Sequence, residues 1–113
     1  MKIGTKELKV PLIQGGMGIG VSMGELAGSV ARCGAMGVIS ASNIGFANKN
    51  FWRNATQSNQ VELRAQVARA KELADGKGLI GMNLMMATTE CDLLMVQAVN
   101  TGVDCILLGA GLP

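Results

Sequence analysis

The sequence predicts an α/β fold built on a parallel sheet. Three observations carry that expectation: short apolar runs alternate with longer amphipathic stretches, glycines stand where the runs stop, and no hairpin-type turn joins two neighbouring runs. Lys9 to Gln14 (KVPLIQ), ended by Gly15 and Gly16, is too short for a stable helix and suits a buried strand. Ser22 and Glu25 form a capping-box pattern, after which Leu26, Val30 and Cys33 recur at helical spacing up to Gly34. Met36 to Ala41 (MGVISA) is the second strand.

The stretch from Ser42 to Ser58 reads as a long loop and holds all three aromatic residues, Phe46, Phe51 and Trp52. Asn59 with Glu62 then marks the start of a second helix, with Leu63, Val67, Ala70 and Ala74 on one face and Gly76 as its stop. Leu79 to Met85 (LIGMNLM) is the third strand. Thr89 with Asp92 opens a third helix, whose apolar residues Leu94, Val96, Ala98 and Val99 precede Gly102, and Cys105 to Leu108 is the fourth strand. The segments beginning at Gly34 and Gly102 echo each other, each a helix-ending glycine just before a strand. Their spacing gives about 34 residues per unit, close to what eight units in roughly 250 residues require.

Composition narrows the function. At 113 residues the chain has room for one domain, 1–113, and its net charge of +2 without like-charge blocks gives no nucleic-acid footprint. No apolar run approaches a membrane span, and the N-terminal region lacks the apolar core of a signal peptide. Three cysteines without a CxxC pair, and no histidine, argue for a reduced, cytoplasmic protein without a structural metal.

Candidate chemistry gathers where strands end: Gln14-Gly-Gly-Met-Gly, Ser40-Ala-Ser-Asn, Asn83 and Gly109-Ala-Gly all lie toward carboxyl ends. In parallel α/β architectures ligands bind at that edge. Glycines there either make tight turns or let backbone N–H groups approach a flat ring or an anion. A Rossmann fingerprint fails in every register, since the final glycine is replaced by Val21 or Met23.

The strings VPLIQGGMGIGVS, ELAGSVARCGAMGVISAS, GMNLMM and LLGAGLP, in that order along nearly the whole chain, resemble the opening of nitronate monooxygenases, formerly 2-nitropropane dioxygenases. They are also similar to the flavin-dependent enoyl-acyl-carrier-protein reductases. The resemblance implies the N-terminal half of a TIM (β/α)8 barrel, with about four parallel strands and three helices, and FMN lying across their carboxyl ends. It assigns Gly16, Met17 and Gly18 to a segment running along the isoalloxazine ring, and Asn83 and Met85 to the flavin side of the third strand end. Met36, Met82 and Met95 read as core filler. Ser40 and Ser42 either meet flavin polar atoms or cap the loop, and Cys91 reads as structural.

The implied activity is oxidation of alkyl nitronates with oxygen. NAD(P)H- and FMN-dependent enoyl reduction is the alternative within flavin chemistry, and a non-catalytic half-barrel is the alternative outside it. The family's catalytic histidine belongs to a later region, so no catalytic residue is expected in this chain. Beyond a small-molecule substrate, the expected partners are a second copy or a complementary C-terminal half, joined through the open sheet edges.

Overall fold

The computed structural model describes residues 1–111; Leu112 and Pro113, the last two residues of the LLGAGLP string, lie outside the described residues. The chain opens with a hairpin that the sequence reading missed. Strands β1 (Lys2–Ile3) and β2 (Lys6–Glu7) pair antiparallel, Lys2 opposite Glu7 and Ile3 opposite Lys6. Gly4 adopts φ +60° in the two-residue turn between them, a conformation that costs glycine little.

The remaining elements are α1 (Gly24–Arg32), β3 (Met36–Ser40), α2 (Ala55–Ala74), β4 (Leu79–Met85), α3 (Cys91–Thr101) and β5 (Cys105–Gly109). The sheet is parallel, as expected, in the order β3-β4-β5, with Ser40 opposite Asn83 and Asn83 opposite Leu107. Its strand count is three rather than four. The segment 9–14 contributes a single parallel bridge, Ile13 to Met36, with the Met36 N–H donating to the Leu12 carbonyl and the Gln14 N–H to the Met36 carbonyl. Pro11 has no N–H to give, and the Leu12 N–H turns back to the Val10 carbonyl, so a longer ladder cannot form.

Three helix starts also differ from expectation. Ser22 does not cap α1: Met23 stands at the N-cap without a side-chain bond, and the buried Ser22 hydroxyl serves the preceding loop instead. α2 begins four residues before Asn59, capped by the Asn54 side chain, which accepts from the Gln57 N–H at 3.1 Å. That shortens the long loop to residues 42–54. Glu90, not Thr89, precedes α3, without a side-chain cap.

The sheet has two differently covered faces. On one, Ile39, Ile80, Met82 and Leu84 pack in a single core with residues of all three helices, including Ala27, Ala31, Leu63, Val67, Leu94 and Ala98. On the other, Met36, Val38 and Leu79 pack under Leu8, just after the hairpin, with Ile3, Cys105 and Leu107 at the margin. The expected buried face of α2, Leu63, Val67, Ala70 and Ala74, is the observed one. α1 differs: it buries Gly24, Ala27, Gly28 and Ala31, while Leu26 and Val30 are only half-buried and Cys33 is exposed. In α3, Val96 and Val99 are exposed, and Cys91, Leu94 and Ala98 are buried.

Small residues set α1 this way because they let backbones touch. A Cβ on Gly37 would overlap the Ala27 carbonyl, and one on Gly28 would come within 2.7 Å of the Ala70 carbonyl oxygen. No rotamer change relieves a backbone clash, so overpacking is felt in full. Gly37→Ala is therefore expected to destabilise the fold by about 2–3 kcal/mol in urea unfolding. Gly76→Ala, at φ +73° but with nothing near its added Cβ, should cost only about 1 kcal/mol. Equal losses in the two variants would contradict the proposed close packing.

Candidate functional site

At the carboxyl end of the sheet, the face opposite the helices is not covered by the hairpin. Side chains alternate along β4, so Leu79, Gly81, Asn83 and Met85 share this face, and the in-register partners add Val38 and Ser40 from β3 and Cys105, Leu107 and Gly109 from β5. The lower rows, Met36 with Leu79 and Val38 with Gly81, lie in the buried cluster. The upper rows reach a half-buried Asn83 and an exposed Met85. Over them runs the glycine-rich segment 15–20.

Gln14 fixes that segment. Its Oε1 accepts from the Val38 N–H at 3.0 Å, and its Nε2 lies 3.3 Å from the Val38 carbonyl oxygen and 3.2 Å from the Ser22 hydroxyl. One side-chain amide thus satisfies both backbone groups on the open edge of β3, as a neighbouring strand would. The Ser22 hydroxyl also accepts from the Met17 N–H at 2.8 Å, and the Ser22 carbonyl accepts from the Ser40 N–H at 2.9 Å. The loop is therefore pinned at Gln14, Met17 and Ser22.

Pinning brings Gly16 onto Asn83. A Cβ at Gly16 would lie 2.6 Å from Asn83 Nδ2, so only glycine fits there while Asn83 keeps its place. The structure brings together Gly16 and Asn83, and it places Met85 two residues further along the same face, opposite Gly109. Met17 is exposed to 47%, close to the 40% of Met85. Gly18 is different: nothing lies near its Cβ position, and its carbonyl accepts from the Val21 N–H at 3.0 Å. Among the described residues the N–H groups of Gly16 and Gly18 donate to no protein acceptor.

The loop 42–54 reaches this segment through Phe46, whose ring would meet a Cβ on Gly20 at 2.8 Å. Phe51 is buried and packs edge-on with Trp52, ring centroids 5.3 Å apart, while Trp52 itself is 91% exposed. Below the rim, burial and the neighbouring Asp104 carboxylate push the Cys105 thiol above its usual range, opposed by Lys6, which pairs with Asp104. Cys105 is therefore a poor nucleophile at neutral pH. Among the described residues no group of three His, Cys, Asp or Glu side chains is placed to hold a metal, and no helix is long and apolar enough to cross a membrane.

Sequence reasoning missed Gln14 and Ser22 as the residues that place the loop. The available signal was their position at the two ends of the glycine run, which the capping-box reading assigned to α1 instead. No family model matches this sequence, and no curated protein is similar enough to count as a relative.

Gln14→Leu keeps the volume and removes the amide. It is expected to cost about 1–3 kcal/mol through the unsatisfied Val38 groups, and to raise hydrogen exchange at Val38 and Met17 while β4 and β5 stay protected. Unchanged exchange at Val38 would show that Gln14 does not hold the edge.

Proposed function

We propose that the chain forms one side of an FMN bed on a (β/α)-barrel scaffold and takes part in oxidation of alkyl nitronates by oxygen. The observation that carries the reading is the placement of Gly16 directly against Asn83, on the part of the inner face that the hairpin leaves uncovered. Support for the barrel comes from topology. The strand order never reverses, and all three helices pack on one face, whereas a doubly wound sheet reverses order and carries helices on both.

A planar ring system fits the rim on chemical grounds. Gly16 and Gly18 offer backbone N–H groups with no side chain in the way, Asn83 offers an amide, and Met17 and Met85 offer polarisable apolar surface. FMN, when bound, supplies reversible electron transfer between substrate and oxygen. The residues of this chain bind and orient: Gln14 and Ser22 hold the loop, Gly16 sets the distance of closest approach, and Asn83 supplies a directed donor and acceptor. The sequence contains no histidine, so it supplies no imidazole base for removing a substrate proton.

Titration of the chain with FMN is expected to quench flavin fluorescence and shift its visible bands. Gly16→Val, which drives a side chain into Asn83, and Asn83→Leu should each weaken binding by at least about tenfold. Undiminished FMN affinity in both variants, or no spectral change with the parent chain, would overturn the proposal.

A specific observation also favours a second reading, a half-barrel that associates through its flanks. Leu12 and Ile13 are exposed beside β3, as are Leu108 on β5 and Val96 and Val99 on α3 at the other flank. On this reading the chain sediments as a dimer or larger species at micromolar concentration. A folded monomer across that range would exclude it.

A further inference from the structure

The sheet ends in two edges whose backbone groups complement each other. On the β3 side the edge is segment 9–14. Its Leu12 carbonyl and Gln14 N–H turn inward to Met36, so the Ile13 N–H and carbonyl between them face away from the sheet, and neither has a partner among the described residues. On the β5 side the Gly109 carbonyl turns inward to the Met86 N–H, and by alternation Ile106 and Leu108 direct their N–H and carbonyl groups outward. Apolar side chains accompany both edges. Ile13 is in register with Met36 on the face opposite the helices, the face that Leu107 shares, whereas Ile106 pairs with Met82 and Leu108 with Leu84 on the helical face. Leu12, next to Ile13 and so on the helical face, is 59% exposed, and Leu108 is 39% exposed.

Every pairing in the sheet is parallel, so the two edges run in the same direction and one fits the other without inversion. With segment 9–14 the sheet has four rows, and two copies supply eight, the number at which a closed parallel barrel fills its interior with side chains. Closure also fixes the register. The row through Ile13 passes Met36 and Leu79 and, carried two residues back from the Gly81–Cys105 pair, reaches Val103. A barrel shear of about eight displaces the row by about four residues per copy, which brings the partner's Ile13 to Leu107, the one such position on a strand. There the free groups match: the Ile13 N–H meets the Ile106 carbonyl, and the Leu108 N–H meets the Ile13 carbonyl. Leu12 comes to lie beside Ile106 on the helical side, and the half-buried Leu107 and exposed Ile13 share an interior. A symmetric β5-to-β5 contact satisfies one edge of each copy and leaves segment 9–14 open.

We propose that two copies of this chain close head to tail into one eight-stranded barrel, segment 9–14 of each pairing with β5 of the other and Ile13 standing opposite Leu107. This pairing rests on the association reading above and does not involve flavin. The test uses Leu12→Cys, Leu108→Cys and the double variant, each on a Cys33→Ser background, sedimented and then treated with bis-maleimidoethane under native conditions. Both positions are exposed, so the substitutions leave the core intact. Within one copy they stand three strand spacings apart, about 14 Å, whereas across the proposed contact they are neighbours. The expected result is a dimer for all three proteins, with the double variant forming cross-linked dimer at least about tenfold faster than either single variant. A monomer overturns the association reading and this pairing with it. Species larger than a dimer, efficient cross-linking in Leu108→Cys alone, or no gain in the double variant leave association standing and overturn the closed barrel.

Discussion

The carboxyl rim of this protein depends on one side-chain amide bonded to one strand edge. β3 needs a partner on its outer flank, and the chain beside it contains Pro11, which cannot extend a ladder. Gln14 supplies the missing partner by bonding both backbone groups of Val38. Because that amide is anchored, the chain leaving it cannot continue as a strand and crosses the face opposite the helices instead, where Ser22 catches Met17 and Gly16 settles on Asn83. Loop position follows from edge satisfaction.

The helical face is governed by a different constraint, the approach of backbones. Gly24, Gly28 and Gly37 let α1 lie against both α2 and β3 with no side chain between them. This leaves larger side chains, Leu63, Val67, Met82 and Leu84, to fill the core on the helical side of the sheet. The opposite face is then free for two uses. Its amino-end rows are plugged by Leu8 and the hairpin, and its carboxyl-end rows stay accessible.

Much of this was legible in the sequence, and the exceptions have physical causes. β4 matches its expected bounds, β3 and β5 match within a residue, and the buried face of α2 follows from its apolar spacing, because burial on both sides or on one stripe leaves a strong pattern. The face of α1 was not legible from Leu26 and Val30, since its contacts are made by residues with almost no side chain. Ser22 and Asn59 looked like helix caps by type and spacing. Tertiary bonds claimed both, Ser22 for Met17 and Asn59 for Gly45, and local capping lost to them. The hairpin at Gly4 was hidden because its strands are only two residues long and carry no alternation to detect. At the rim, the contact between Gly16 and Asn83 was not legible, because it is set by Gln14 and Ser22, whose only mark in the sequence is their place at the two ends of the glycine run.

The most direct test of the account is the proximity of Gly16 to Asn83 in solution. A strong ¹H–¹H nuclear Overhauser effect is predicted between a Gly16 α-proton and the Asn83 side-chain N–H₂, since the two groups lie within about 3 Å, near the van der Waals contact of a packed interior. Loss of that signal in Gln14→Leu is predicted with it. Its absence in the parent chain, with Gly16 reporting only on sequence neighbours, would contradict the claim that an anchored glycine loop lies over the carboxyl end of the sheet.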